Sequence, residues 1–231
     1  MTECLLCHIE FVRNLDFKFI VNFNRLRPAS ICPRCLNKFC RLNKNSSCPQ
    51  CGRFQNNNQI CGDCLKWQSI YSKDVIKNKS LFAYDQEMHD YFRSFKKRGD
   101  YRLRLAFSQI IAEYLDHHKY DAYIFVPTAS EHFLKRKFDP VTALFGELVK
   151  PTVTIDNILN VEHQSLKSRR ERLATIQTFS LSEIQSQKLK NVSSILIFDD
   201  IYTTGATIYR MRQAIRDQHI DAPIESLTLA R

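Results

Sequence analysis

Ser194-Ile-Leu-Ile-Phe-Asp-Asp-Ile-Tyr-Thr-Thr-Gly-Ala-Thr-Ile208 is the stretch whose reading decides the fold. Ile195 to Phe198 form a continuous apolar run with β-branched members, bounded by polar residues, which suits a strand buried on both faces of a parallel sheet. Asp199 and Asp200 stand at its carboxyl end, where open α/β sheets bind ligands. From Ala206 the apolar positions Ile208, Met211 and Ile215 recur at helical spacing, so the loop Thr203, Thr204, Gly205, Ala206, Thr207 sits on a helix N-terminus. Free N–H groups and the positive end of the helix dipole favour a phosphate there. Gly205 allows a backbone conformation and a ligand approach that a Cβ would obstruct. The threonine hydroxyls add donors, and the two carboxylates, which would repel a phosphate, can accept hydrogen bonds from the hydroxyls of a ribose.

This ordered string resembles the phosphoribosyl diphosphate (PRPP) signature of type I phosphoribosyltransferases. A strand-turn-helix whose Asp-Asp and Thr-Gly merely cap the helix is the competing reading.

Outward from the cradle, the chain has 231 residues and a formal net charge of +10. It is long enough for one ordinary domain and a small module. No apolar run approaches a membrane span, and Met1-Thr-Glu-Cys4 lacks a signal-peptide pattern, so a cytoplasmic protein is expected.

All nine cysteines fall within residues 1–64, eight of them as the Cys-x-x-Cys pairs Cys4/Cys7, Cys32/Cys35, Cys48/Cys51 and Cys61/Cys64. Each such turn delivers two thiolates to one ion, so four pairs imply two Cys4 zinc sites; a reducing compartment opposes disulfides. Sequential pairing would unite Cys4, Cys7, Cys32 and Cys35, then Cys48, Cys51, Cys61 and Cys64, and a cross-braced arrangement is the alternative. Cys40 is left over as a packed thiol, and His8 is not needed as a ligand. With little apolar material, the module should fold only with its metal. Two Zn(Cys)4 centres, each a dianion, would bring the net charge to about +6, still suited to a polyanionic partner.

The expected division is a double zinc ribbon over 1–70, a linker over 71–80 and an α/β domain over 81–231, its sheet open and mostly parallel. Met88 to Phe95 and Leu103 to Leu115 predict two helices with Gly99 ending the first. Ala122 to Val126 predicts a strand, followed by Thr128, Ala129 and Ser130, small residues whose N–H groups could hold a diphosphate. Asp139 and Pro140 read as N-cap and first turn of a helix running through Leu144 to Val149. Pro151 to Val161 predicts another strand, residues 162–179 a loop, and Ile224 to Leu229 a closing strand.

A double zinc ribbon ahead of a phosphoribosyltransferase-like domain resembles the ComF/ComFC family of competence proteins. The matching features are Cys4-Leu-Leu-Cys7, Cys48-Pro-Gln-Cys51, Phe95-Lys96 with Gly99-Asp100, Val126-Pro127, Gln164-Ser-Leu166 with Arg172 and Phe179, the cradle, and Leu227-Thr-Leu-Ala-Arg231. Where the family usually has Arg-Gly-Phe-Asn-Gln, this chain has Arg136-Lys-Phe-Asp-Pro140, which enlarges the basic cluster Lys135, Arg136, Lys137. The resemblance implies a cytoplasmic protein that acts with a ComFA-type helicase on incoming single-stranded DNA.

Lys96, Lys97, Arg98, Lys135, Arg136, Lys137, Arg169, Arg170 and Arg172 fall in segments expected near the carboxyl edge of the sheet. There they could track phosphates, with Phe133, Phe138 or Tyr101 for base stacking. The alternative function is an active phosphoribosyltransferase using PRPP and Mg²⁺ on an unknown acceptor. No acceptor-base pocket is legible, which favours binding over transfer.

Overall fold

Asp199 and Asp200 end a strand, and the elements around that strand explain where they stand. The computed structural model describes residues 1–12, 29–43, 45–72, 74–157 and 178–231. Lys167, Arg169, Arg170, Arg172 and Gln164-Ser-Leu166, the residues 162–177 of the expected loop, and the end of the strand expected to reach Val161 lie outside the described residues.

Four parallel strands form the main sheet in the order β3-β8-β7-β4: β3 Lys77–Phe82, β4 Ala122–Phe125, β7 Ile195–Ile201 and β8 Ile224–Ala230. Alternate β7 residues serve opposite faces. Leu196 and Phe198 join one core, with the Phe145 ring tilted against Phe198 at 4.8 Å between centroids, and Ile195 and Ile197 join the other. This two-sided burial is what the unbroken apolar run requires.

Helix α6 (Pro140–Phe145), after β4, packs on the first face; helix α8 (Ala206–Arg216), after β7, packs on the second. Two adjacent strands thus send their chains to opposite faces, which opens a crevice at their carboxyl ends.

The two cysteine groups also divide between the faces. Cys4, Cys32 and Cys35 belong to the first core, with the hairpin β1 (Thr2–Glu3) and β2 (Glu10–Phe11) and helix α1 (Pro33–Leu36) around them. Cys48, Cys51, Cys61 and Cys64 belong to the second, where helix α2 (Gly62–Tyr71) starts from Cys61.

Several sequence expectations are revised. Within the expected linker 71–80, Lys77 to Ser80 belong to edge strand β3. Its inward residues Asn78 and Ser80 are polar, so no apolar alternation marks it; they are satisfied by Cys51 O, Ser226 and Thr228. Trp67, within the expected ribbon module, lies on α2. The periodic run over 103–115 divides into a 3₁₀ turn at Tyr101–Leu105 and helix α4 (Ser108–His117). Helix α6 stops at Phe145, and the segment after Pro151 contributes only the Ile124–Val153 bridge and the two-residue strand β5 (Asp156–Asn157), paired with β6 (Phe179–Ser180). Cys40 is exposed, not packed. As expected, Asp139 caps α6 by accepting from Thr142 N, and Gly99 adopts φ +74°. Helix α3 (Gln86–Phe92) precedes Gly99, α5 (Ser130–Arg136) precedes Asp139, and α7 (Glu183–Gln187) comes later.

Candidate functional site

The crevice at the carboxyl edge encloses about 710 Å³. Asp199, Asp200, Thr203 and Thr207 line it from the β7 side, and Thr128 and Ala129 from the loop after β4. The two loops singled out from sequence therefore face one another. Asp139 fixes the second loop by accepting from Thr128 N at 2.9 Å. Ser130 begins α5 and is exposed.

Cations surround this space. Arg53, Lys96, Arg136, Arg210 and Arg231 all line it, with His132 and Tyr84. Lys96 was read as a nucleic-acid contact; its ammonium lies 2.6 Å from Asp200 Oδ2 and 4.6 Å from the centre of the Phe92 ring. It reaches there from a π-helical turn, Arg93–Lys97, that continues α3 and buries Phe95. Lys97 and Arg98 are exposed. Lys135 pairs with Glu131, and Lys137 ends α5 in a left-handed conformation at φ +64°. Phe138 packs between Phe95 and Tyr101, so the segments around Lys96 and Arg136 are neighbours. Phe138 is accordingly committed to packing, whereas Phe133 and Tyr101 are exposed.

Burial drives the Asp199 carboxyl well above the usual carboxylate range, and the adjacent Asp200 adds to it; the Asp200 N–H, which donates to Asp199 Oδ1 at 2.8 Å, and Lys96 pull the other way. The pair therefore presents one carboxyl that resists ionisation beside one neutralised by a lysine, a set suited to exchanging hydrogen bonds with ligand hydroxyls.

Gly205 has φ +88°, and a Cβ there would collide with the Tyr202 ring, 2.7 Å from its Cζ. The glycine thus answers to a packed tyrosine beneath the loop as well as to any ligand above it. The carbonyls of this loop are held from below. Arg231 Nη1 donates to Thr203 O and, at 3.2 Å, to Tyr202 O, and Trp67 Nε1 donates to Thr204 O at 2.8 Å. Arg53, Tyr84, His132, Arg210 and Arg231 were not singled out as site residues from sequence. Arg210 was within reach, one helical turn after Ala206, and Arg231 closes a segment noted only for its resemblance; no signal marks Arg53.

Each cysteine group fits a metal. Cys4, Cys7, Cys32 and Cys35, and separately Cys48, Cys51, Cys61 and Cys64, keep their sulfurs within 4.8 Å of one another, which selects the sequential pairing. Sγ–Sγ distances are 3.8 Å for Cys7–Cys32, 3.8 Å for Cys48–Cys64 and 3.6 Å for Cys51–Cys61. A tetrahedron of Zn–S bonds of ~2.3 Å has edges of about 3.8 Å, whereas a disulfide needs ~2.05 Å. Backbone N–H groups of Cys32 and Cys61 donate to the sulfurs of Cys4 and Cys48 at 3.2 and 3.3 Å, further stabilising thiolate. The Cys51 thiol is held down to about 5, chiefly by a hydrogen bond from Cys64, against burial and with help from Arg231. His8 bonds Glu3 instead, at 2.8 Å. The two groups could each hold a zinc ion.

Fold and site define an open, parallel α/β domain with a crevice at the carboxyl ends of its strands, preceded by a small module with two Cys4 clusters. No protein-family model matches the chain. It is similar to competence protein ComFC of Streptococcus pneumoniae strain R6, 28% identical over 215 residues that cover 93% of this chain and 94% of the relative. It is likewise similar to competence protein ComFC of Bacillus subtilis strain 168, 28% identical over 236 aligned positions covering 99% of this chain and 94% of the relative. The ComF/ComFC resemblance carried by the motifs thus spans nearly the whole chain. Among the described residues, no helix is long and apolar enough to cross a membrane.

Proposed function

We propose that this chain is a competence protein that assists the uptake or processing of incoming single-stranded DNA and binds a phosphorylated ribose of the PRPP type. The observation that carries the reading is the crevice at the switch point of the sheet, where Asp199, Asp200 and the 203–207 loop face Thr128 and Ala129 amid five Lys and Arg side chains. A ligand with phosphates at two ends and hydroxyls between matches that distribution.

In this reading the 203–207 loop takes one phosphate, the 128–130 loop the diphosphate, and the aspartates the ribose hydroxyls, with Mg²⁺ accompanying the diphosphate. Zinc in the two Cys4 centres holds the ribbon module over 1–70 together. Two relatives named for competence support the uptake role. A ComFA-type helicase is the proposed partner, and the cytoplasm the proposed compartment. The strand of DNA would follow the cationic rim from Lys96, Lys97 and Arg98 to Lys135, Arg136 and Lys137; the other expected contacts, Arg169, Arg170 and Arg172, lie outside the described residues.

The alternative, transfer of the phosphoribosyl group from PRPP to an acceptor, uses the same residues and differs in turnover. Calorimetric titration of the zinc-loaded chain with PRPP and Mg²⁺ tests the cradle: micromolar-range binding is expected, lost in Asp199→Asn/Asp200→Asn. Absence of binding to PRPP would remove the ligand part of the proposal. Salt-sensitive binding of single-stranded DNA, weakened by Lys135→Ala/Arg136→Ala/Lys137→Ala, tests the other part, and Mg²⁺-dependent diphosphate release would favour the transferase.

A further inference from the structure

Three consecutive backbone carbonyls under the candidate phosphate loop have assigned partners. Arg231 holds those of Tyr202 and Thr203, and Trp67 holds that of Thr204. In a trans peptide the C=O of one residue and the N–H of the next point in opposite directions. Fixing the three carbonyls downward therefore aims the N–H groups of Thr203, Thr204 and Gly205 away from Trp67 and Arg231. An array of parallel N–H groups is what an anion needs, whereas a rotated peptide would present a repelling oxygen.

Both holding residues depend on helix α2. Trp67 lies on it, stacked on Tyr209 of α8 with centroids 4.1 Å apart; Tyr71, one turn on, stacks on the same ring at 4.9 Å. The Arg231 side chain is only 4% exposed, its guanidinium 3.8 Å from Asp63 of α2 and 4.6 Å from the centre of the Tyr202 ring. Asp63 is also bonded by Arg53. The same helix starts at Cys61 and carries Cys64, so two sulfurs of the second Cys4 centre set its position. Among the described residues the first centre has no such link: Cys4, Cys32 and Cys35 lie in the core on the opposite face of the sheet.

We propose that Trp67 and Arg231 are positioning residues that couple the second Cys4 centre, and not the first, to phosphate binding at the 203–207 loop. Metal at Cys48, Cys51, Cys61 and Cys64 orders α2, α2 orders the loop carbonyls, and the loop presents its N–H groups. By linkage the coupling is reciprocal: a ligand on the loop tightens metal binding at the second centre. The inference rests on the loop being the phosphate site proposed above.

Hydrogen exchange at residues 203–207 and fluorescence of Trp67, the single tryptophan of the chain, read the coupling without any ligand. In the full-length zinc-loaded protein, Cys64→Ser should lose one zinc equivalent, speed exchange at 203–207 and shift Trp67 emission to the red; Cys7→Ser should lose one zinc and leave both signals as in the parent. Trp67→Phe, which keeps a stacking ring and both zincs but lacks the indole donor, should speed loop exchange and weaken PRPP binding about tenfold. With PRPP and Mg²⁺ bound, competition with a chelator at equilibrium should show tighter zinc binding at the second centre and unchanged binding at the first. Unchanged loop exchange in both Cys64→Ser and Trp67→Phe, or equal effects from Cys7→Ser and Cys64→Ser, would overturn the coupling. Faster loop exchange in Cys64→Ser and Trp67→Phe, together with a parent protein that binds no PRPP, would instead sustain the coupling and sink the phosphate reading.

Discussion

Lys96 Nζ lies 2.6 Å from Asp200 Oδ2, with both side chains largely shielded from solvent. A lysine from a turn after α3 thus neutralises a carboxylate at the end of β7. Replacing it with methionine leaves Asp200 beside Asp199 without a counter-charge and removes one cation from the crevice. Lys96→Met should weaken PRPP binding about tenfold in calorimetry at fixed Mg²⁺. Unaltered affinity would show that Lys96 only screens the aspartates.

Asp199 ties stability to pH. Its folded pKa is raised by burial and by Asp200. The folded chain therefore holds this proton more tightly than the unfolded chain, and stability is lost as pH rises from about 4 toward the folded value. Asp199→Asn should melt several degrees higher than the parent at pH 8, with the gap closing near pH 4, while losing PRPP binding. A variant that melts lower at pH 8 would contradict the buried, destabilising carboxyl.

Asp74 works with the opposite sign. Hydrogen bonds from Arg216 and Arg212, against some burial, pull its carboxyl down to about 2. Its contribution is complete above about pH 4 and declines as pH falls toward 2. Arg212 is buried, so Asp74→Ala strands a guanidinium against Tyr71, 4.4 Å from the ring centre. Because the Asp74 side chain is 40% exposed, screening limits the cost to about 1–2 kcal/mol. Urea denaturation at pH 7 and pH 3 checks both sign and size.

Gly205→Ala places a methyl group against Tyr202 in a backbone conformation of φ +88° that L side chains avoid. The expected cost is about 1–3 kcal/mol. Loop distortion should also abolish PRPP binding. Thermal melting with calorimetry separates the two effects: retained stability with lost binding would mean that the loop gives way locally.

Much of the architecture was legible because its causes are local. An apolar run with β-branched residues, two carboxylates, a glycine and then helical spacing announce β7, the loop and α8 within fifteen consecutive residues. Asp139 and Pro140 likewise announced α6. By contrast, β3 was hidden because Asn78 and Ser80 carry no hydrophobic signal; their burial depends on Ser226 and Thr228, 148 residues away. The run over 103–115 looked like one helix because periodicity marks which residues face the core, not whether the backbone between them makes a 3₁₀ or an α turn.

By itself the sequence determined the eight candidate sulfur ligands and the order of strand, carboxylates, loop and helix, since a Cys-x-x-Cys turn and a helix start are properties of neighbouring residues. Tertiary structure alone decided which cysteine pairs share a centre, that the two centres lie on opposite faces of the sheet, and that Arg53, Arg231 and Lys96 meet at one crevice. The Trp67–Thr204 bond spans 137 residues. No pattern in a single chain encodes such a contact, because it exists only when the second Cys4 centre, α2 and α8 are packed together.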